Sequence, residues 1–147
     1  MLIIIEKFSD NLITLDVYSY SDDEFKEVRD FFSEFNIPFT EKFLMKDKLS
    51  RRGYRFMIDP QNSKKLEDTL NISFKEGKVS FNYTGVPYRC KELTRNGDGK
   101  GCEDILADSY SKARIICSAD IARKKGWFSS YPQEGQCEKT GWFKKLF

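Results

Sequence analysis

The chain has 147 residues and contains no histidine. This absence excludes Ser-His-Asp and Cys-His nucleophiles, histidine-ligated metals and the side chain that most often acts as a general base near neutral pH. An enzyme built on this sequence would depend on a carboxylate or a thiol. Asp104 and Asp108, one turn apart on a predicted helix, are the best-spaced carboxylates, but acidic residues near the start of a helix more often complement its dipole.

Cysteine pairs with metal-binding spacing are also absent. Cys90, Cys102, Cys117 and Cys137 are separated by 11, 14 and 19 residues, so the sequence has no Cys-x-x-Cys pair. Without such a pair or a histidine, a zinc site would need four thiolates from scattered positions. We therefore predict no metal and no other cofactor, and we expect the cysteines to be reduced and largely buried.

Long apolar runs are lacking as well. Four apolar residues stand between Met1 and Glu6, which is too few for the apolar region of a signal peptide, and no positive charge precedes them. No other stretch approaches the length that spans a bilayer. We expect a cytoplasmic protein without a membrane span.

What the sequence does contain is aromatic and charged residues. Thirteen Phe and seven Tyr accompany a hydrophobic fraction of 39% and a charged fraction of 33%, which is typical of a folded domain with an aromatic core. Residues 1–84 carry 13 basic and 15 acidic side chains, whereas residues 85–147 carry 12 and 8. The basic excess of the second half favours a partner with an acidic surface.

Hydrophobic periodicity predicts an α+β fold. Two alternating runs before residue 20 indicate a β-hairpin, and Ser21 with Glu24 forms a capping box at the start of a helix. Two further strands, a helix from Pro60 to Leu70 and a hairpin over residues 72–83 follow. The order over residues 12–83 is therefore βαββαβ, the ferredoxin-like plan of an antiparallel sheet, preceded by one hairpin strand.

The sequence changes character after residue 84. A stretch rich in turn-forming residues precedes a predicted helix with one apolar stripe, formed by Leu106, Tyr110, Ala113, Cys117 and Ile121. We predict a single domain with two parts. Residues 1–84 form the α+β sheet region, and residues 85–147 form a loop, a helix and an aromatic tail packed on that region.

The tail repeats the motif Lys-x-Gly-Trp-Phe, once in KKGWFSSYP and once in KTGWFKKLF. Aromatic side chains beside lysines are typical of interface hot spots that are steered toward an acidic partner. The candidate partner-binding residues are Trp127, Phe128, Trp142, Phe143, Lys144 and Lys145. The alternative is a structural role, in which at least one copy packs against the sheet or the helix.

The stretch RGYRFMID resembles the central strand of RNA-recognition-motif domains, in which outward-facing aromatic side chains stack on bases. Arg52, Tyr54 and Phe56 match that motif, and Tyr18 on a neighbouring strand would supply a second platform. The resemblance implies a single-stranded RNA-binding protein. The motif departs at Arg55, Met57 and Asp59, and the acidic balance of residues 1–84 disfavours contact with phosphates.

Three functional classes follow from these observations. The leading hypothesis is a small, non-catalytic protein that binds another protein, of the size and kind of toxin or nuclease inhibitors such as bacterial immunity proteins and phage-encoded antagonists. The second is single-stranded RNA binding, and the third is an enzyme with an unrecognised carboxylate or thiol site. The sequence does not indicate the oligomeric state.

Overall fold

The computed structural model describes residues 1–93, 102–125 and 134–139, which form nine strands and three helices. The strands are β1 (Leu2–Lys7), β2 (Ile13–Ser19), β3 (Thr40–Leu44), β4 (Arg52–Ile58), β5 (Ile72–Lys75), β6 (Lys78–Phe81), β7 (Val86–Leu93), β8 (Cys102–Ala107) and β9 (Glu134–Lys139). The helices are α1 (Asp22–Glu34), α2 (Pro60–Leu70) and α3 (Tyr110–Lys125). The predicted α+β class is confirmed.

Six strands form the larger sheet in the order β3-β4-β2-β1-β6-β5, and its neighbouring strands are antiparallel. A smaller antiparallel sheet has the order β8-β7-β9. The first hairpin turns at Asn11, which adopts a left-handed conformation with φ of 66° that asparagine tolerates well. The Asp10 carboxylate accepts a hydrogen bond from the Leu12 N–H at 3.1 Å and stabilises this turn.

One face of the larger sheet is covered by helices. Leu15 and Val17 of β2 point toward this face and are buried. Their register partners in β4 are Phe56 and Tyr54, which point the same way because opposite residues in neighbouring strands share a face. The alternation seen in the sequence therefore builds one side of the core.

Helix α1 supplies the other side of this core. Ser21 caps the helix by accepting a hydrogen bond from the Asp23 N–H at 3.2 Å. The predicted capping box does not form in full, because the Ser21 N–H donates to the Ser19 hydroxyl at 3.0 Å and not to Glu24. The buried residues of the helix are Phe25, Val28, Phe31 and Phe32. The Phe32 and Phe56 ring centroids lie 5.8 Å apart, so the helix and β4 share one aromatic cluster.

The strand order departs from the predicted ferredoxin-like plan. Strands β2 and β3, joined by α1, lie on either side of β4, which is the split βαβ arrangement that the plan begins with. The plan then requires β5 beside β2, but β1 and β6 lie between them. Because β1 forms a hairpin with β2, it occupies the edge of β2 that the last ferredoxin-like strand would need.

The second half of the chain also differs from its prediction. Strands β7 and β8 occupy residues expected to be loop and the start of a helix, and α3 begins only at Tyr110. Leu106 therefore lies in a strand and does not belong to the helical stripe. Asp104 lies in β8 and Asp108 lies between β8 and α3, so these two carboxylates do not share a helical turn. The predicted placement of both residues on one helix is therefore wrong.

Helix α3 lies between the two sheets. It contacts β1 of the larger sheet and all three strands of the smaller one. Cys117 of α3 forms a disulfide with Cys90 of β7, and both residues are buried. The expectation of four reduced cysteines is therefore wrong, because strand β7 and helix α3, which the sequence did not place together, bring these two thiols into contact.

Ion pairs also connect helix α3 to helix α1. Arg114 donates to Glu24 and to Glu27 of α1, with N–O distances of 2.9 Å for both. Burial raises the pKa of the Glu24 carboxyl, but the amino group of Met1, the Ser19 hydroxyl and Arg114 together outweigh burial and hold that pKa below its ordinary value. Glu24 is therefore ionised at neutral pH and joins the two helices.

We predict that the disulfide stabilises the fold substantially. Reduction should lower the free energy of unfolding by about 3–4 kcal/mol, because the cross-link joins residues 27 positions apart and restricts the unfolded chain. Chemical denaturation with and without a reductant measures this difference. A tryptic digest of the unreduced protein should contain a linked peptide pair that joins Cys90 to Cys117. Full alkylation of both residues without reductant would contradict the assignment.

We also predict that Glu24→Gln destabilises the protein by about 1.5–3 kcal/mol at neutral pH, the usual value of a hydrogen bond to a charged group. Since folding lowers the pKa of Glu24, its stabilisation is present above the unfolded-state pKa and is lost as pH falls through the folded-state pKa. The difference between the two proteins in urea denaturation should therefore shrink below about pH 4. Asp30→Asn, which removes an exposed ion pair with Lys26, is the control and should cost below about 1 kcal/mol. A Glu24→Gln difference that is constant with pH would contradict the ionised pair.

Candidate protein-binding surface

The residues of the predicted aromatic tail lie outside the described residues. They are Trp127, Phe128, Trp142, Phe143, Lys144 and Lys145. Their role in partner binding stays a prediction.

The residues of the RNA alternative do not form one exposed platform. Tyr54 and Phe56 face helix α1, where Tyr54 lies edge-on to Phe25 with ring centroids 4.7 Å apart and Phe56 is 0% exposed. Tyr18 lies on the opposite face of the sheet, directly over Gly53. A Cβ atom at Gly53 would come within 2.6 Å of the Tyr18 ring, so the glycine of the RNA-like motif here makes room for a neighbouring side chain.

The face of the sheet that carries Tyr18 holds a neutralised polar network. Arg55 donates two hydrogen bonds to Asp16, at 2.7 and 2.9 Å, and this bonding raises the pKa of the guanidinium. Burial, aided by the charges of Asp16 and Asp47, raises the pKa of the Tyr18 phenol. Arg55 is thus paired and Tyr18 is neutral at neutral pH. Arg52 in turn pairs with Asp22 at 2.6 Å, which leaves neither guanidinium of the RNA-like motif without a carboxylate partner.

Among the residues that the structure describes, the most exposed apolar side chains lie on or near β3, the strand at one edge of the larger sheet. Phe43 of β3 is 75% exposed and Met45, just beyond the strand, is 90% exposed. Tyr20 is 64% exposed and donates its hydroxyl to the carbonyl of Leu49 in the loop that follows β3. Monomeric proteins scatter single apolar residues over their surfaces, but a group at one sheet edge indicates an interaction site.

Strand β3 presents Phe43 in a defined position. The Phe43 ring lies 4.6 Å from the ring of Tyr54, which packs on helix α1. Arg29 of α1 donates to Glu41 of β3 at 2.9 Å and lies over the Tyr54 ring at 5.1 Å. The exposed aromatic side chain is therefore supported from behind by a packed aromatic and an ion pair.

Hydrogen bonds to the Asp47 side chain fix the conformation of the loop after β3. The Asp47 carboxylate accepts hydrogen bonds from the backbone N–H of Leu49 at 3.0 Å and from that of Arg51 at 2.9 Å. It also accepts one from the Arg51 side chain at 2.7 Å, and Arg51 is buried. Met45 therefore lies exposed at the start of a loop whose conformation is fixed by hydrogen bonds.

The charges around this edge are predominantly positive. Glu41 and Asp47 are each paired with an arginine. Lys42, Lys46 and Lys48 are exposed, and none has an ion pair within residues 1–93, 102–125 and 134–139. We call strand β3 together with Tyr20, Phe43, Met45 and these three lysines the β3 edge surface.

The sequence alone does not single out the β3 edge surface. The first of the two strands predicted after the first helix includes it, but the apolar residues in KFLMK resemble core residues when the strand's place in the sheet is unknown. Lysines on both sides of the apolar residues are the signal that was available, because edge strands commonly carry lysine.

Comparison with protein-family models, with curated proteins and with solved structures finds no match for this chain. Among the described residues, no group of three metal-ligating side chains comes together, and no helix is both long and apolar enough to cross a membrane.

Proposed function

We propose that this protein acts by binding another protein, without catalysis of its own, and that it does so through the β3 edge surface. The observation that carries the proposal is the exposure of Phe43 and Met45 beside an edge strand. Exposed apolar anchors surrounded by charged residues are typical of interface hot spots. An inhibitor or immunity-type antagonist would belong to this class.

The backbone of β3 supports a specific mode of binding. β3 pairs with β4 on one side, and no strand in the described residues pairs with it on the other side. An edge strand of this kind presents a row of N–H and C=O groups that an extended segment of a partner can pair with. Phe43 and Lys42 point to opposite faces of the sheet and would contact alternate side chains of that segment.

The charge of the surface defines the partner further. Lys42, Lys46 and Lys48 favour an acidic segment, both by attraction during approach and by pairing after docking. We therefore propose an extended, acidic segment with apolar residues that pack on Phe43 and Met45. The aromatic tail, with Trp142 as its terminal anchor, is a second proposed contact with the same partner.

The alternative functions receive less support from the geometry. Base stacking by Tyr54 and Phe56 would require the aromatic residues to leave the helix-covered core.

The disulfide weighs against the predicted cytoplasmic location, because buried disulfides are typical of proteins that mature in oxidising surroundings. A partner in such a compartment is therefore the better expectation.

A random linear peptide library displayed on phage tests the proposal. Peptides selected on the wild-type protein should be acidic and should alternate apolar with polar residues. Their affinity should fall by about 30-fold or more in the Phe43→Ser/Met45→Ser variant, as expected for loss of hot-spot contacts, and should fall with rising salt. Tyr110→Ser, which removes another exposed aromatic ring at the surface, should bind normally.

Hydrogen exchange identifies the mode of binding in the same samples. A selected peptide should slow exchange of the amides of residues 40–44, because it pairs with the free side of β3. Unchanged affinity in the double variant would refute the β3 edge surface. If Trp142→Ala abolished binding in that case, the binding function would belong to the tail.

A further inference from the structure

The chain carries two acceptor motifs for N-linked glycosylation, each an asparagine followed by any residue except proline and then by serine or threonine. Residues 71–73 have the sequence Asn-Ile-Ser, and residues 82–84 have the sequence Asn-Tyr-Thr. The two asparagines are neighbours, since the Asn82 N–H donates to the Asn71 carbonyl at 2.8 Å. Because so short a motif also arises by chance, the structural role of each asparagine decides whether its side chain is available for modification.

Asn71 has a structural role that accounts for its presence. It follows the last residue of α2 and adopts a left-handed conformation with φ of 53°, which asparagine tolerates better than most residues. The residue is half-buried, and its side-chain Nδ2 donates to the Thr84 hydroxyl at 2.8 Å. The nitrogen that would carry a glycan on Asn71 is therefore engaged within the fold.

Asn82 has no comparable role. It is exposed, and its side chain forms no hydrogen bond within residues 1–93, 102–125 and 134–139. The bond from Asn82 to Asn71 is made by the backbone N–H, which every residue except proline possesses. The fold thus leaves the side-chain amide of Asn82 at the surface.

The middle residue of this motif sets the direction in which the motif faces. The Phe81 and Tyr83 rings are stacked with centroids 6.0 Å apart, and the Tyr83 hydroxyl donates to the buried Asp120 of α3 at 2.6 Å. When residues two apart share one side of a chain segment, the residues next to them take the other side. Asn82 and Thr84 therefore both point away from α3, and both are exposed. The acceptor amide and the hydroxyl of the motif are presented together.

The disulfide is an independent observation that bears on the same question. Cys90 and Cys117 are both buried, and disulfides of this kind form in oxidising compartments such as the lumen of the endoplasmic reticulum. N-linked glycans are attached in that compartment. The cross-link and the exposed motif on one chain therefore point to the same place of maturation.

The position of Asn82 in the sheet suits a bulky modification. Asn82 follows the last residue of β6 and bonds to the residue before β5, and these strands end the sheet opposite to β3. Within the described residues, β5 pairs with β6 alone. Open edge strands invite association with other chains, which a large hydrophilic group beside the edge opposes. A glycan here would shield β5 and leave the β3 edge surface open.

We propose that Asn82 is an N-glycosylation site and that a lipid-pyrophosphate-linked oligosaccharide is the glycan donor. The Asn82 Nδ2 forms a bond to the anomeric carbon of the first sugar, while the bond from that carbon to the pyrophosphate oxygen breaks. The lipid pyrophosphate leaves with the electron pair, and Nδ2 gives up one proton to a base of the transferring enzyme. Asn71 stays unmodified. This site does not depend on the proposed binding function.

Secretion of the full chain from cultured eukaryotic cells, behind a cleavable leader, tests the site. Peptide N-glycosidase in heavy-oxygen water releases the glycan and leaves a labelled aspartate, which peptide mass spectrometry should locate at position 82. The glycan should be lost in Asn82→Gln and in Thr84→Ala, but Thr84→Ser preserves the motif and should keep it. Ser73→Ala removes only the motif of Asn71 and should be glycosylated like the wild-type protein.

Thermal unfolding separates loss of the motif from loss of the fold. Asn82→Gln should unfold at the same temperature as the enzymatically deglycosylated wild-type protein, because the Asn82 side chain has no hydrogen bond to lose among the described residues. Peptide mapping of the protein from its natural source should find the same modification. An unmodified Asn82 in either preparation, or a glycan on Asn71, would overturn the proposal.

Discussion

The position of α3 between the two sheets is the constraint on which the rest of the structure depends. The helix packs on β1 of the larger sheet and on all strands of the smaller one. The Cys90–Cys117 disulfide fixes it to β7, and Arg114 fixes it to α1. In the described residues, α3 is therefore the element through which the smaller sheet is attached to the aromatic core.

This arrangement decides where function can reside. The helix-facing side of the larger sheet is occupied by packed aromatic residues such as Phe32 and Phe56, which are 0% exposed. The opposite side carries paired charges, with Asp16 bound to Arg55. At the edge of β3, the backbone groups on the side away from β4 meet no strand among the described residues.

Much of the first half of the fold could be predicted from the sequence. Alternation over residues 12–19, the N-cap at Ser21 and the apolar spacing from Phe25 to Phe32 are local signals, and the structure agrees with each of them. Strand order depends on long-range pairing, which these signals do not report. The insertion of β1 between β2 and β6 could not be predicted for that reason.

The second half was harder to predict because two periodicities overlap there. The apolar residues from Leu106 to Ile121 fit a helical stripe, whereas β8 pairs with β7 through residue 107. The disulfide could not be predicted without that pairing, because it joins a strand and a helix that had not been placed side by side. The exposure of Phe43 escaped prediction because sequence patterns indicate that a residue is apolar but not whether its strand lies at an edge.

The central claim is that the β3 edge is open for pairing while the interior strands are closed. Native-state hydrogen exchange of the free protein, resolved at single amides, measures this most directly. Alternate amides of β3 should exchange rapidly, because only those that point to β4 are bonded, whereas the amides of β4 should exchange slowly throughout its central part. Uniformly slow exchange across residues 40–44 would show that this edge is already covered and would contradict the account.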